Sequence, residues 1–305
     1  MYDHRQFLFA STAELTPLSG IVGQHRAIKA IELGAEILSR SFNIFVMSLL
    51  GTGRLITIQS VLRRVTTRHR PLVDYAYMHN FKHSDMPRLL RFEAGGGTAF
   101  ARAMKANIRQ KLQASDRRRA GAFVREIFAD ERRTFTNPEV LEYLEECEAD
   151  LLDNLESFTV LPSDIPQQQL LPSGISVSDK ILHYTVNVVL DNADITEPPV
   201  LIENHPSYVN LFGTIEKKVD KHGYVKTDFT QIKAGALLRA DGGYLNVNAA
   251  DLLHDDAVWQ NLKRLLLYGR LEIQAPDAGL LSHSALKPKH IDSTVKVIML
   301  GDYDT

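Results

Sequence analysis

Along residues 27–38 (AIKAIELGAEIL), Ile28, Ile31, Ala35 and Leu38 recur at three- and four-residue spacing, which predicts an amphipathic helix. The pattern then changes. Residues 42–47 (FNIFVM) are short, almost wholly apolar and bulky, the pattern of a strand buried on both faces. A glycine turn, GTG at 51–53, leads into a helix over 56–65, and residues 74–78 (DYAYM) read as a short strand. Strand, helix and strand in that order predict a parallel sheet with right-handed crossovers.

A different pattern starts at Gly95, Gly96 and Gly97. Residues 98–112 are helix-like, and a second helix starts at Pro138 with Asn137 as its cap. Val140, Leu144, Cys147, Leu151, Leu155 and Phe158 then form one apolar stripe, with Glu142, Glu145, Glu146 and Glu148 off it. Residues 98–158 are therefore expected to form an antiparallel helical arm outside the sheet. Its stripe serves either internal packing, the favoured reading, or a substrate-gripping surface. Residues 161–178, rich in Pro, Gln and Ser, read as a loop. Strands return over 183–190, 200–203, 244–247 and 295–300, with a helix over 252–267. The organisation expected is α/β, with a first part over 1–95, an inserted arm and loop over 96–180, and a second part over 181–305. The last strand lacks the helix that should follow it, so the sequence reads as a piece of something longer.

Composition narrows the classes. Lys+Arg is 35 and Asp+Glu is 37, a net charge of −2, which argues against a protein that grips nucleic acid mainly through phosphates. The basic tract DRRR at 116–119 reads as a solvated helix end. The single cysteine, Cys147, excludes an internal disulfide and fits a reducing cytoplasm. No apolar run approaches the ~18 residues needed to span a bilayer.

The candidate chemistry lies at residues 45–59 (FVMSLLGTGRLITIQ). A phosphate-binding loop G-x-x-x-x-G-K-[ST] uses glycines to curl backbone N–H groups around phosphate oxygens, a lysine for the terminal phosphates and a hydroxyl for Mg²⁺. Here Ser48 stands at the first glycine, Gly51 and Gly53 keep the turn open, Arg54 stands for the lysine and Leu55 for the hydroxyl. The guanidinium keeps the charge in a different shape, and leucine cannot bind magnesium. The carboxylates expected at the end of another strand are also missing: in GYLNVNA, Asn248 falls at the aspartate position and Ala249 at the glutamate position. Asp251 is expected to cap the following helix. Efficient ATP hydrolysis is therefore not expected. Taken alone, the loop is equally a plain strand-to-helix turn.

Longer stretches carry a resemblance. GQHRA (23–27), NIFVMSLLGTGR (43–54), DYAYMHNF (74–81), PPVLIENHPSYVNLFGTIE (198–216) and TDFTQIKAGALLRADGGYLNVNAADLL (227–253) resemble, in order, motifs of the Lon-like ATP-dependent proteases, whose AAA+-type half precedes a serine–lysine protease domain. The resemblance implies a P-loop AAA+-like parallel sheet with helices on both faces and an inserted helical arm. It further implies a homo-oligomeric ring that feeds unfolded or damaged proteins to a protease chamber. ATP or ADP would lie against Gly51, Thr52, Gly53 and Arg54, with Gly23 and Gln24 near the adenine and Asn248 at the adjoining strand end; magnesium is left open. Nothing in the sequence resembles the serine-bearing protease motif or the helical lid, so no catalytic residue is assigned to this chain. The alternative is a non-enzymatic protein-interaction module derived from such a protease.

Two other groupings are read as structural. His79 and His83 are four apart but lead toward Pro87 with no following glutamate, so no metal site is assigned. Tyr75 and Tyr77 are expected to pack a strand rather than stack a base.

Overall fold

The computed structural model describes residues 9, 11–14, 24–37, 39, 42–48, 53–65, 71–114, 120–154, 181–219, 225–275 and 286–303. The expected loop over 161–178 and the tract at 116–119 lie outside these residues, as do Gly23, Leu38, Gly51, Thr52, Leu155 and Phe158. The first elements are α1 (His25–Glu36), β1 (Ile44–Met47), α2 (Arg54–Leu62), β2 (Val73–Met78), β3 (Arg88–Glu93), α3 (Gly96–Ala114), α4 (Ala120–Thr134), α5 (Pro138–Asp153), β4 (Val186–Leu190) and β5 (Val200–Glu203). They continue with α6 (Tyr208–Phe212), β6 (Gly213–Ile215), β7 (Lys218–Val219), β8 (Val225–Lys226), β9 (Ile232–Ala234) and α7 (Ala236–Arg239). The last are β10 (Tyr244–Asn248), α8 (Ala249–His254), α9 (Asp256–Tyr268), β11 (Arg270–Leu271), β12 (Ile291–Asp292) and β13 (Lys296–Gly301).

Four strands form a parallel sheet in the order β1-β13-β10-β5. Side chains alternate across it, as the two-residue period requires. Tyr244, Ile298 and Leu300 face a core shared with Ile31 and Ala35 of α1 and Ile58, Val61 and Leu62 of α2. Leu245, Val247 and Val297 face a second, larger core with Val258, Leu262 and Leu265 of α9. The sheet thus has helices on both faces, an AAA-like α/β arrangement. Burial of β1 differs from expectation: Phe45 and Met47 are 51% and 52% exposed, and Ile44 and Val46 alone pack inward. A short apolar run does not distinguish a strand covered on one face from one covered on two.

Lys296 secures α1 to this sheet. Its ammonium donates to the carbonyl oxygens of Gly34 (2.6 Å), Ala35 (3.3 Å) and Ile37 at the C-terminal end of the helix. Those carbonyls lack intrahelical partners, and a cation suits their end of the helix dipole. Gly243 fixes the other side. A Cβ there would lie 2.1 Å from the Pro199 carbonyl oxygen, so only glycine lets β10 enter the sheet beside the start of β5.

The expected parallel continuation from β1 through α2 to β2 does not occur. β2 pairs antiparallel with β3 on one side and β4 on the other. Local pattern identifies a strand but not its partner, and the short connection over 79–87 returns the chain as an antiparallel neighbour. β2 divides its side chains between two cores. Tyr75 and Tyr77 enter the core of the parallel sheet and donate from their hydroxyls to the carbonyls of Asp292 (3.3 Å) and Lys289 (2.7 Å). Ala76 and Met78 enter a third core under the helices.

That third core is what the expected helical arm packs on. Phe100, Phe128, Val140, Leu144, Cys147 and Leu151 of α3, α4 and α5 bury against Leu90 and Phe92 of β3. The helices are a layer on an antiparallel sheet, because an apolar stripe this long has to be covered. The stripe on α5 is packing, as favoured, and Asn137 caps α5 by accepting from the Glu139 N–H (3.0 Å). Buried Asp74 ties the layer down: its carboxylate accepts from the N–H of Gly97 (3.0 Å) and of Asn192 (2.8 Å). Burial still pushes its pKa upward against those two bonds. The helix expected over 252–267 is two helices, with Asp255 capping α9 by accepting from Ala257 and Val258. Asp251, expected as the cap of α8, sits in its first turn; Asn248 is the cap. No helix among the described residues is long and apolar enough to cross a membrane.

Two predictions arise here. Gly243→Ala should lower the urea midpoint by the equivalent of at least about 3 kcal/mol, because the clash is with backbone rather than with a movable side chain. The second concerns His79, stacked on His183 with ring centroids 4.0 Å apart. Burial, and then His183, lower its pKa from 6.5 to about 4. The folded protein keeps the imidazole neutral where an unfolded chain would protonate it, so unfolding takes up a proton across that interval. Stability should fall as pH drops from 6.5 toward 4, and His79→Asn should flatten the slope in pH-dependent melts.

Candidate functional site

The carboxyl ends of parallel strands are where open α/β sheets bind ligands. Here β1, β13 and β10 end level, since Val46 lies opposite Leu300 and Leu300 opposite Asn248. The chain then enters α2 through Gly53, whose φ of 68° is left-handed and favours glycine. The first turn of α2 carries no acidic residue, so its free N–H groups face the strand ends with their partial positive charge unopposed from within the helix.

Arg54 is the first residue of α2. Its guanidinium donates to the carbonyl oxygens of Gly301 (2.6 Å) and Ser48 (3.3 Å), and the Ser48 N–H donates to the same Gly301 oxygen (3.2 Å). The side chain therefore links the ends of β1 and β13. To reach a phosphate it has to leave these carbonyls or share its remaining N–H groups. Leu55 packs into the α1–α2 core, and the hydroxyl of Thr57 donates back to the Gly53 carbonyl (3.1 Å).

On β10, the Asn248 side chain accepts from the Ala250 N–H (3.0 Å) and so caps α8. Ala249 is buried, 3% exposed. A carboxylate at 249 would be shut off from solvent, and the group at 248 is engaged with backbone. Gln24 stands at the start of α1 in a left-handed conformation (φ 56°), and its carbonyl accepts from the Ile28 N–H (3.0 Å). The structure thus brings Gly53, Arg54 and Asn248 to one edge of one sheet, and places Gln24 at the N-terminus of the helix packed beside α2. Gly23, Gly51 and Thr52 lie outside the described residues. Among the described residues, no group of three or more His, Cys, Asp or Glu could hold a metal.

Two family matches bear on this arrangement. Residues 196–305 match a LonB-like AAA domain, and residues 74–106 match the Lon-like LonC helical domain. The chain is related to the Lon-like proteases. The AAA match runs from just before β5 to beyond β13, and the helical match takes in β2, β3 and the first half of α3. The AAA match supplies β5, β10 and β13 of the parallel sheet, which are thus the AAA-like part of the chain, and AAA domains as a class bind nucleotide. The candidate loop lies before both matches and joins the AAA portion through the pairing of β1 with β13. No curated protein matches the chain.

Sequence reasoning missed the groups that organise this edge. The carbonyl partners of Arg54 and the role of Lys296 come from segments far apart in the chain, and no local spacing signals them. If Arg54 acts as such a link, Arg54→Ala should destabilise the nucleotide-free protein by about 1–2 kcal/mol in chemical denaturation, the scale of lost hydrogen bonds from a charged donor at a partly buried site. A side chain pointing into solvent would leave the midpoint unchanged.

Proposed function

We propose that this chain is the nucleotide-binding, substrate-handling portion of a Lon-like ATP-dependent protease, and that it binds ATP or ADP with little or no turnover. The observation that carries this reading is the condition of the two strand ends. The β1–α2 turn offers an anion-binding helix end and a guanidinium, while Leu55, Asn248 and Ala249 offer neither a metal ligand nor a base. Positioning of metal and water is most of phosphoryl-transfer catalysis, so an edge equipped this way binds without hydrolysing. In this reading nucleotide serves as a conformational ligand: it draws Arg54 from the carbonyls of Ser48 and Gly301 and loosens the link between β1 and β13. Unfolded or damaged polypeptides are the partners, and copies of the chain assemble as a ring.

A second reading, a non-enzymatic interaction module descended from such a protease, is favoured by the same engagement of Arg54 and Asn248 if no nucleotide binds. Calorimetric titration with ATP and ADP, with and without magnesium, separates the two. Under the first reading both nucleotides bind, and magnesium changes the affinity by no more than about twofold, because the oxygen ligands that magnesium demands are missing. Leu55→Thr together with Asn248→Asp should introduce magnesium dependence while keeping the α8 cap, since aspartate caps as well as asparagine. Steady ATP turnover by the unmodified protein, abolished by Arg54→Ala, would refute the non-hydrolysing reading.

A further inference from the structure

A cavity of about 320 Å³ lies between α6, α9 and β11, and none of these elements carries a residue of the candidate nucleotide loop. Tyr208 and Phe212 supply one wall, their rings stacked at 4.8 Å between centroids and 28° between planes. Arg264 and Arg270 supply two guanidiniums, and neither is paired with a carboxylate among the described residues. Glu272 supplies the single carboxylate, and it takes part in the upward shift of the Tyr208 pKa after burial. Tyr268, which also lines it, is 64% exposed, and the same helices expose Leu267 (72%) and Val209 (39%).

The chemistry selects its ligand. An aromatic wall takes a flat apolar group, and paired guanidiniums take a carboxylate through forked hydrogen bonds. The lone carboxylate, Glu272, two residues beyond Arg270, takes an N–H. The volume is at the small end of ligand cavities, room for one residue rather than a nucleotide. A nucleoside triphosphate would bring more negative charge than two guanidiniums answer, and Glu272 would repel it. We propose that this cavity binds an aromatic residue carrying a free α-carboxylate: the ring against Tyr208 and Phe212, the carboxylate on Arg264 and Arg270, and the residue's own N–H toward Glu272. Both a free aromatic amino acid and the carboxyl terminus of a polypeptide have this chemistry.

Isothermal titration of the full chain with N-acetyl-phenylalanine, its C-terminal amide, free phenylalanine and a ten-residue peptide ending in phenylalanine tests the assignment. N-acetyl-phenylalanine should bind at least about tenfold more tightly than the amide, the scale of a charge-assisted pair. Arg264→Gln with Arg270→Gln should remove that preference without moving the melting temperature, since both arginines are exposed. Binding of the peptide together with the acetylated residue identifies a polypeptide terminus as the source, and binding of free phenylalanine without the peptide identifies a metabolite; either outcome supports the site. Equal affinity for acid and amide, an unchanged preference in the double variant, displacement by ATP, or no binding of any of the four at millimolar concentration overturns it.

Discussion

The pairing of β1 with β13 closes a loop that holds almost everything else. Arg54 and Gly301, which meet at its end, are 247 residues apart in the chain. All of α2, the antiparallel sheet and its helices, β5 and β10 lie between. Joining such distant segments costs chain entropy that grows only slowly with length, so a large insertion is tolerated once the ends find each other. The cost falls on the rate instead, because long-range parallel pairing forms late. The nucleotide-site candidates therefore exist only after the two ends of the described chain have met.

Two cations stabilise that junction, and both work on backbone rather than on acidic side chains. Lys296 at the start of β13 takes the carbonyls that end α1, and Arg54 takes the carbonyls that end β1 and β13. A buried or partly buried carbonyl left without a donor costs more than an exposed ion pair gains. Surface pairs elsewhere, such as Lys233 with Glu216 at 59% and 46% exposure, matter much less by this measure. The same logic makes the loop arginine ambivalent: the charge that suits a phosphate also suits the carbonyls it replaces.

What the sequence revealed follows the range of the interactions. The helix with Ile31 and Ala35 on its inner face, the cap at Asn137 and the inward tyrosines of β2 depend on neighbours a few residues away, and all were legible. The fold class was legible too, through blocks of residues rather than through the loop. β3 was missed because RLLRFE mixes charge into its alternation, and α4 because nothing marked it apart from its neighbours. The pairing of β2, the helical layer's dependence on β3 and the engagement of Arg54 are settled by segments far apart, which no local spacing encodes. At the site, the sequence supplies the residue types at 54, 55, 248 and 249, but their present occupations as linker, packing and cap were not visible in it.

β2 has a mechanical consequence. Its alternate side chains anchor in different cores, Tyr75 and Tyr77 on one side and Ala76 and Met78 on the other, and it is bonded along both edges. A pull on the helical layer along this strand's axis would load its hydrogen bonds in shear, many at once, instead of unzipping them singly. The layer would then transmit tension to the parallel sheet as a stiff lever does, with β2 as its fulcrum.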